Sequence, residues 1–301
     1  FVIAKPNIFV ILIYYIILFL SIKRNRKLLI IFFIVLLINI NIKYFIRDAS
    51  VTFLDVGQGD SSVIILPFGK TILIDTGGLY LSRYNISKNK TVPYLNSLGI
   101  SKIDLLILTH GDYDHIGDTI NLLNEIKVDE VLFNNDSFND TENKIIKVLN
   151  KKNIRYSKNS EYFRKIKDLY FLNTKMYDNE NDNENDNSTV VYFTYENFSF
   201  LFTGDASKER EEDIMKNYNI KDVSFLKVGH HGSKTSTGSS FIKKINPKYS
   251  IISVGENNRY GHPNNEALKN LANSKIYRTD LDGSIEIKLN KNSYKIRTCP
   301  P

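Results

Sequence analysis

Cysteine is nearly absent: the 301 residues contain one, Cys299, close to the C-terminal end. That excludes an intrachain disulfide framework and a thiolate metal site, so a folded domain must rest on its own core and on any ions it holds. Histidine is scarce too, with five in all, and no repeat of fixed period is present. The net charge of +7 is missing from most of the chain. Residues 1–47 carry seven cations (Lys5, Lys23, Arg24, Arg26, Lys27, Lys43, Arg47) and no acid, which leaves 33 basic against 33 acidic residues in the remainder. The surplus therefore belongs to the N-terminal segment and not to a basic nucleic-acid-binding body. Any nucleic-acid contact must come from local patches. The first residue is Phe1 and not Met, and the chain is expected to be part of something longer.

What is present begins with two apolar runs, Ile8 to Ile22 and Leu28 to Ile46, the second broken late by Asn39, Asn41 and Lys43. A bilayer takes about 20 residues of helix, so residues 1–47 are expected to form a transmembrane helical hairpin. A cleaved signal peptide is the alternative, against which stand two runs in tandem and no small-residue cleavage site. Between the runs lies Lys23-Arg24-Asn25-Arg26-Lys27, whose four cations place that loop on the cytoplasmic side. Residues 48–298 then form an extracytoplasmic domain.

From Val51 the pattern changes to short β-type runs broken by glycine. VTFLDV, SSVIIL and KTILID predict three strands joined at Gly57-Gln58-Gly59-Asp60 and Pro67-Phe68-Gly69. A helix over Thr91–Leu98 leads to the strand DLLIL, a helix from Ile116 to Ile126 follows, and VDEVLF is the next strand. Asp178–Asn187 (DNENDNENDN) is an acidic, solvated loop. After it come strands over Thr189–Tyr195, Phe198–Phe202, Val223–Val228 and Tyr249–Val254, helices over Lys208–Asn217, Gly238–Ile245 and Asn264–Ala272, and a hairpin turning at Asp282-Gly283. The alternation predicts a layered α/β domain.

The chemistry concentrates in Thr109-His110-Gly111-Asp112-Tyr113-Asp114-His115, directly after DLLIL. Strand ends are where sites gather in α/β folds. Alternation lets His110 and Asp112 project toward one metal, while Asp114 and His115 serve a second beside it. Zinc or manganese would accept imidazole nitrogen and carboxylate oxygen from such a set. A polar loop with a capping aspartate is the plainer reading. The other histidines also follow strands: His230 and His231 in SFLKVGHHGS, and His262 in Tyr-Gly-His-Pro. Asp205, in Phe202-Thr203-Gly204-Asp205, is placed either to cap the next helix or to bridge two cations. Asp75, in Leu73-Ile74-Asp75-Thr76-Gly77-Gly78, either orients ligands through hydrogen bonds or is a plain turn residue.

LDVGQGDS, LIDTGG, THGDYDHIGD, FTGD, VGHHGS and YGHP stand here in one order. Residues 50–290 thereby resemble the metallo-β-lactamase-like domain of ComEC-type competence proteins, membrane proteins of natural transformation. The resemblance implies a four-layer αββα sandwich with its site at the sheet edges and a hydrolase or nuclease that degrades the DNA strand not imported. It also implies DNA, the membrane and other competence proteins as partners. The fold's usual pattern, His-x-His-x-Asp-His followed by a lone histidine, is altered twice. Asp112 stands where the second histidine is usual, and no histidine lies between His115 and His230, so a loop oxygen near Asn187 or Ser188 is the candidate replacement. An oxygen-rich shell favours manganese over zinc.

The expected ligands of the two divalent ions are His110, Asp112, Asp114, His115, Asp205 and one of His230, His231 and His262, with His230 favoured; on that choice the roles of the other two follow. His231 and His262 face the substrate, with either one protonating the leaving oxygen. Ser233 and Lys234 would bind a non-bridging phosphate oxygen, and Lys227, Lys243, Lys244 and Lys248 would track a nucleic-acid backbone. Two further readings stand beside this one. One is hydrolysis of an envelope phosphodiester or small ester, which a closed aromatic pocket would favour. The other is a degenerate DNA-binding scaffold.

Overall fold

The computed structural model describes residues 4–6, 8–23, 27–45, 48–79, 84–134, 137–162, 166–173 and 184–299. The two apolar runs form helices α1 (Ile8–Lys23) and α2 (Leu28–Ile40), which meet through Tyr14 edge-on to Phe32 at 5.5 Å. No helix among the described residues is long and apolar enough to cross a membrane. The 16 residues of α1 rise about 24 Å. Residues 46 and 47 at the end of the second run lie outside the described part, and its helix ends at Ile40, between the Asn39 and Asn41 that break the run. There the Asn41 amide Nδ2 donates to the Leu37 carbonyl at 2.8 Å, and a single 3-10 turn follows over Ile42–Phe45. Residues 24–26 of the basic loop lie outside the described part. The root of this hairpin packs on the domain: Lys5 N–H donates to the Ser97 carbonyl at 2.8 Å, and Ala4 and Ile42 press on Gly99.

Next comes an antiparallel meander, β1 (Ala49–Phe53), β2 (Ser62–Ile65) and β3 (Thr71–Ile74). Helix α3 (Val92–Ser97) and the short strand β4 (Lys102–Ile103) lead to β5 (Leu105–Ile107), parallel to β3. Gly117 and Asp118 split the expected helix 116–126 into α4 (Tyr113–Ile116) and α5 (Thr119–Glu125). Strand β6 (Lys127–Val128) pairs with β4, and β7 (Glu130–Phe133), α6 (Asp140–Lys152) and β8 (Arg155–Lys158) extend the sheet in parallel. The sequence reading missed α6. Its start is a capping box in which Asn139 Oδ1 accepts from the N–H groups of Thr141 and Glu142 and the Glu142 carboxylate reaches back to Asn139 N–H.

A second sheet holds β9 (Leu169–Phe171), β10 (Val191–Tyr195) and β11 (Phe198–Phe202). Then α7 (Lys208–Asn217), β12 (Phe225–Lys227), α8 (Ser239–Ile245), β13 (Tyr249–Ile252), α9 (Asn265–Asn270) and β14 (Lys275–Arg278) alternate, which makes β11 to β14 parallel. The chain returns to the first sheet through α10 (Thr279–Asp282), β15 (Ser284–Leu289) and β16 (Tyr294–Cys299). The Asp282-Gly283 pair is thus a crossing between sheets and not a hairpin: Asp282 Oδ2 is committed to Arg278 N–H. The closing hairpin turns at Asn290–Ser293 instead.

The sheets run β16-β15-β1-β2-β3-β5-β7-β8 and β14-β13-β12-β11-β10-β9. Strand alternation explains the layering. Ile72, Ile74, Leu105 and Ile107 face inward against Phe200, Phe202 and Phe225 of the other sheet, where Phe200 and Phe225 stack at 4.6 Å. Leu73 and Leu106 point outward beneath Leu95, Leu122 and Leu149 of the helices, and Leu201 and Leu226 meet Ile214 and Phe241 on the opposite face. Each such side chain, fully buried, contributes about 1.5–3 kcal/mol. The result is four layers, helices outside and two sheets within. The ends of β3, β5, β11, β12 and β13 gather at one rim, opposite the hairpin root.

Candidate metal centre

Five strand ends supply the rim. Asp75 follows β3, Thr109 to His115 follow β5, Asp205 follows β11, His230 and His231 follow β12, and the turn carrying His262 follows β13. Close approach holds the central loop in place. Asp60 N–H donates to the Asp114 carbonyl at 3.1 Å and Thr76 N–H to the His115 carbonyl at 2.8 Å. Only glycine fits at position 78, where a Cβ would lie 1.9 Å from the Tyr113 carbonyl oxygen. Asp75, His230 and His231 all have left-handed backbones, at φ 58°, 47° and 53°. Such conformations are costly and collect at sites that need a side chain aimed one way.

A single carboxylate orients two of the rings. Asp75 Oδ2 accepts from His115 Nδ1–H at 2.8 Å and from the Thr109 hydroxyl at 2.7 Å, and that hydroxyl in turn accepts from His110 Nδ1–H at 3.1 Å. Both rings therefore present Nε2 to the interior. His231 does likewise, donating Nδ1–H to the Ser253 carbonyl at 2.9 Å and placing Nε2 3.1 Å from Asp114 Oδ2. Asp205 stands in the middle. Its Oδ1 is 3.1 Å from His115 Nε2, and its Oδ2 is 3.9 Å from His110 Nε2, 3.8 Å from His230 Nε2 and 4.0 Å from His231 Nε2. Asp112 Oδ2 lies 3.6 Å from His110 Nε2.

These atoms fit a cation better than they fit each other. His110 Nε2 is buried without a hydrogen-bond partner, and His115 Nε2 and Asp205 Oδ1 have none but each other at 3.1 Å, a costly arrangement for protein alone. Two sets of ligand atoms, His110–His115–Asp205 and Asp114–His115–His231, each lie within 4.8 Å of one another. Burial works against a charged His115, yet Asp205 and Asp75 outweigh it and hold the imidazole well above its usual range. Burial would raise Asp114, but His231 and His115 bring it down to about 2. His230 is held below its usual range by burial and by its histidine neighbours, against the pull of Asp205.

The geometry departs from the sequence reading at several residues. His231, the expected substrate-facing residue, is the one grouped with Asp114 and His115, because its ring is buried and tied to Ser253. His230, the expected ligand, is more exposed, with Nδ1 on the Thr235 hydroxyl at 3.1 Å. The Ser233 hydroxyl accepts from the N–H and hydroxyl of Thr235, Lys234 is exposed, and neither lines the cavity over the site. Ser188 sits beside Asp205, its hydroxyl accepting from Asp205 N–H at 3.1 Å.

Lys227 is no part of a surface patch. It is 2% exposed, with Nζ 2.6 Å from Asp60 Oδ2 and donating to the Val228 carbonyl at 3.0 Å. Asp60 was not singled out from the sequence, yet its Oδ1 is 3.6 Å from His231 Nδ1 and its Oδ2 4.0 Å from His115 Nδ1. The signal that could have found it is an aspartate closing Gly-Gln-Gly between two strands.

Above the ligand atoms opens a cavity of about 680 Å³, lined in part by Gln58, Tyr113, Asn258, Arg259, Tyr260 and His262. His262 is half-buried, and its Nδ1 has no partner.

A family model described as the Metallo-beta-lactamase superfamily matches residues 54–176 and 180–256. The chain is 33% identical over 271 residues to ComE operon protein 3 of Bacillus subtilis (strain 168), covering 84% of this chain and 35% of that protein. It is 29% identical over 253 residues to Competence protein ComA of Neisseria gonorrhoeae, covering 83% and 33%. It thus spans about a third of the length of these curated relatives. Among solved structures, CmlA, a diiron beta-hydroxylase from Streptomyces venezuelae, aligns at a TM-score of 0.52 and 13% identity over 81% of this chain and 54% of that one. That likeness concerns the fold alone.

Proposed function

The chain belongs to the metallo-β-lactamase superfamily, and from that premise we propose that it is the metal-dependent phosphodiesterase part of a DNA-uptake membrane protein, acting on DNA. The observation that carries the reading is the cluster of buried imidazole and carboxylate ligand atoms around Asp205, with His110 Nε2 left without a hydrogen-bond partner. In this reading His110, Asp112 and Asp205 would hold one divalent ion, and Asp114, His115 and His231, with Asp205 within reach, would hold the other. Manganese suits the oxygen-rich set, and zinc suits the imidazoles. Bound there, the ions would lower the pKa of a water and neutralise the oxygens of the phosphoryl group.

The protein's own residues supply the rest. Asp75 fixes the tautomers of His110 and His115 so that Nε2 carries its lone pair into the site. Half-buried His262, with an unpartnered Nδ1, and His230 line the cavity and are the candidates for returning a proton to the leaving oxygen. The identity to competence proteins supports DNA as substrate. The apolar surface of α1 and α2, where Phe9, Ile22 and Ile30 are 71%, 77% and 63% exposed, supports lipid around the hairpin. With the root of the hairpin at the opposite end of β3 and β5, the site would face away from the bilayer on the extracytoplasmic side.

One observation favours a second reading. The cavity is lined by Tyr113 and Tyr260 and, among the described residues, by no lysine, as suits a small envelope diester. Turnover of single-stranded DNA, duplex DNA and glycerophosphocholine by the Mn²⁺- or Zn²⁺-loaded chain separates them. DNA cleavage with glycerophosphocholine untouched is expected, and the reverse result would replace the DNA reading.

A further inference from the structure

The mouth of the cavity carries a feature that metal chemistry does not require. In the turn after β13, Tyr260 is 56% exposed. The Arg259 guanidinium carbon lies 5.3 Å from the centre of the Tyr260 ring, with Nη2 donating to the phenol oxygen at 3.3 Å. Among the described residues no carboxylate pairs with Arg259. The Tyr260 ring is nearly parallel to that of His262, 13° apart with centres at 6.0 Å, and His262 is inclined 29° to His231 at 6.5 Å. A graded series of planes thus runs from solvent to the ligand atoms.

The turn is built and not merely extended. Asn258 Nδ2 donates to the His262 carbonyl at 2.7 Å and to the Gly255 carbonyl at 3.2 Å, while its Oδ1 accepts from His262 N–H at 3.0 Å. Gly261, at φ 71° with nothing within 4 Å of a Cβ position, leaves the space beside Tyr260 open. Holding a large aromatic ring in water at a fixed place loses hydrophobic stabilisation unless a ligand covers it.

We propose that Tyr260 and Arg259 form a subsite for one unpaired nucleobase next to the phosphodiester under attack. This rests on the hydrolase reading of the same site and adds that the substrate strand must be single or frayed there, because a base stacked in a duplex cannot lie on a protein ring. Charge selects the occupant. A quaternary ammonium headgroup would be repelled by the unpaired guanidinium, whereas a neutral base with a flanking phosphate is attracted to both. The cavity volume of about 680 Å³ lies in the range that encloses a whole organic ligand and not only a phosphate.

The test is binding of a fluorescein-labelled, phosphorothioate-linked single-stranded oligodeoxynucleotide to the Mn²⁺-loaded chain, read by anisotropy. Tyr260→Ala should raise Kd about 5- to 150-fold, the equivalent of losing one base stack. Tyr260→Phe should bind as the parent does, and so should Tyr170→Ala on the far edge strand. Duplex of the same sequence should bind more weakly. Equal binding by Tyr260→Ala, or equal loss in Tyr260→Phe, overturns the subsite. If the parent binds no oligonucleotide yet hydrolyses bis(p-nitrophenyl) phosphate, the subsite falls while the phosphodiesterase reading stands.

Discussion

Removing the ammonium of Lys227 places a lone negative charge inside the rim of the sandwich. In the folded chain Lys227 and Asp60 are 2% and 4% exposed, Nζ lies 2.6 Å from Asp60 Oδ2, and Asp60 Oδ1 already lacks a hydrogen bond. Lys227→Met keeps most of the stem packing and discards the charge. Truncating one partner of a buried pair costs about 3–5 kcal/mol, because the other charge keeps its desolvation penalty without compensation. A loss of that size should appear as a lower denaturant midpoint with unchanged slope. Adding Asp60→Asn to Lys227→Met removes the stranded charge and should recover about 1–3 kcal/mol, so the two substitutions are strongly non-additive. A Lys227→Met loss below about 1 kcal/mol, or additive effects in the double variant, would refute the reasoning.

Asp75→Asn replaces an oxygen that accepts from two donors with a group that must itself donate at one position. Metal affinity, measured by competition with a chelator, should fall about 10- to 100-fold, with the fold retained. Burial pushes Glu211 up to about 8 from 4.5, against its two bonds to Thr237 and Gly238 N–H at 2.7 Å. A raised acid favours the folded state most below pH 4.5, and that advantage is lost as pH rises through about 8. The unfolding free energy of the parent relative to Glu211→Gln should therefore decline across that window, by at most about 1.4 kcal/mol per pH unit; a difference constant with pH would count against it. Gly78→Ala should abolish metal loading as read by elemental analysis, since its Cβ would meet the Tyr113 carbonyl at 1.9 Å and displace the loop that carries Asp114.

The strands were legible because their two faces alternate between two apolar layers. Leu105, Leu106 and Ile107 read as a buried strand and are one. The gathering of His110, Asp114, His115, Asp205 and His231 was legible for a related reason: each follows a strand, and parallel strands end on one side. Helix α6 was not, because its apolar positions are sparse and its start is a cap formed by Asn139 and Glu142, a signal the reading passed over. Depth was not legible either. Adjacent His230 and His231 look alike in sequence, and only the Ser253 carbonyl behind one and the Thr235 hydroxyl beside the other separate them. Lys227 read as a surface cation because its partner, Asp60, stands far away in the chain and meets it only across the sandwich.

The most direct measurement is cleavage of single-stranded DNA by the full chain in detergent with Mn²⁺ or Zn²⁺, beside its Asp114→Ala variant. Chelator-sensitive cleavage by the parent and a rate near background in the variant are expected. Absence of cleavage by a parent shown to hold metal, or equal cleavage by the variant, would contradict the proposed function.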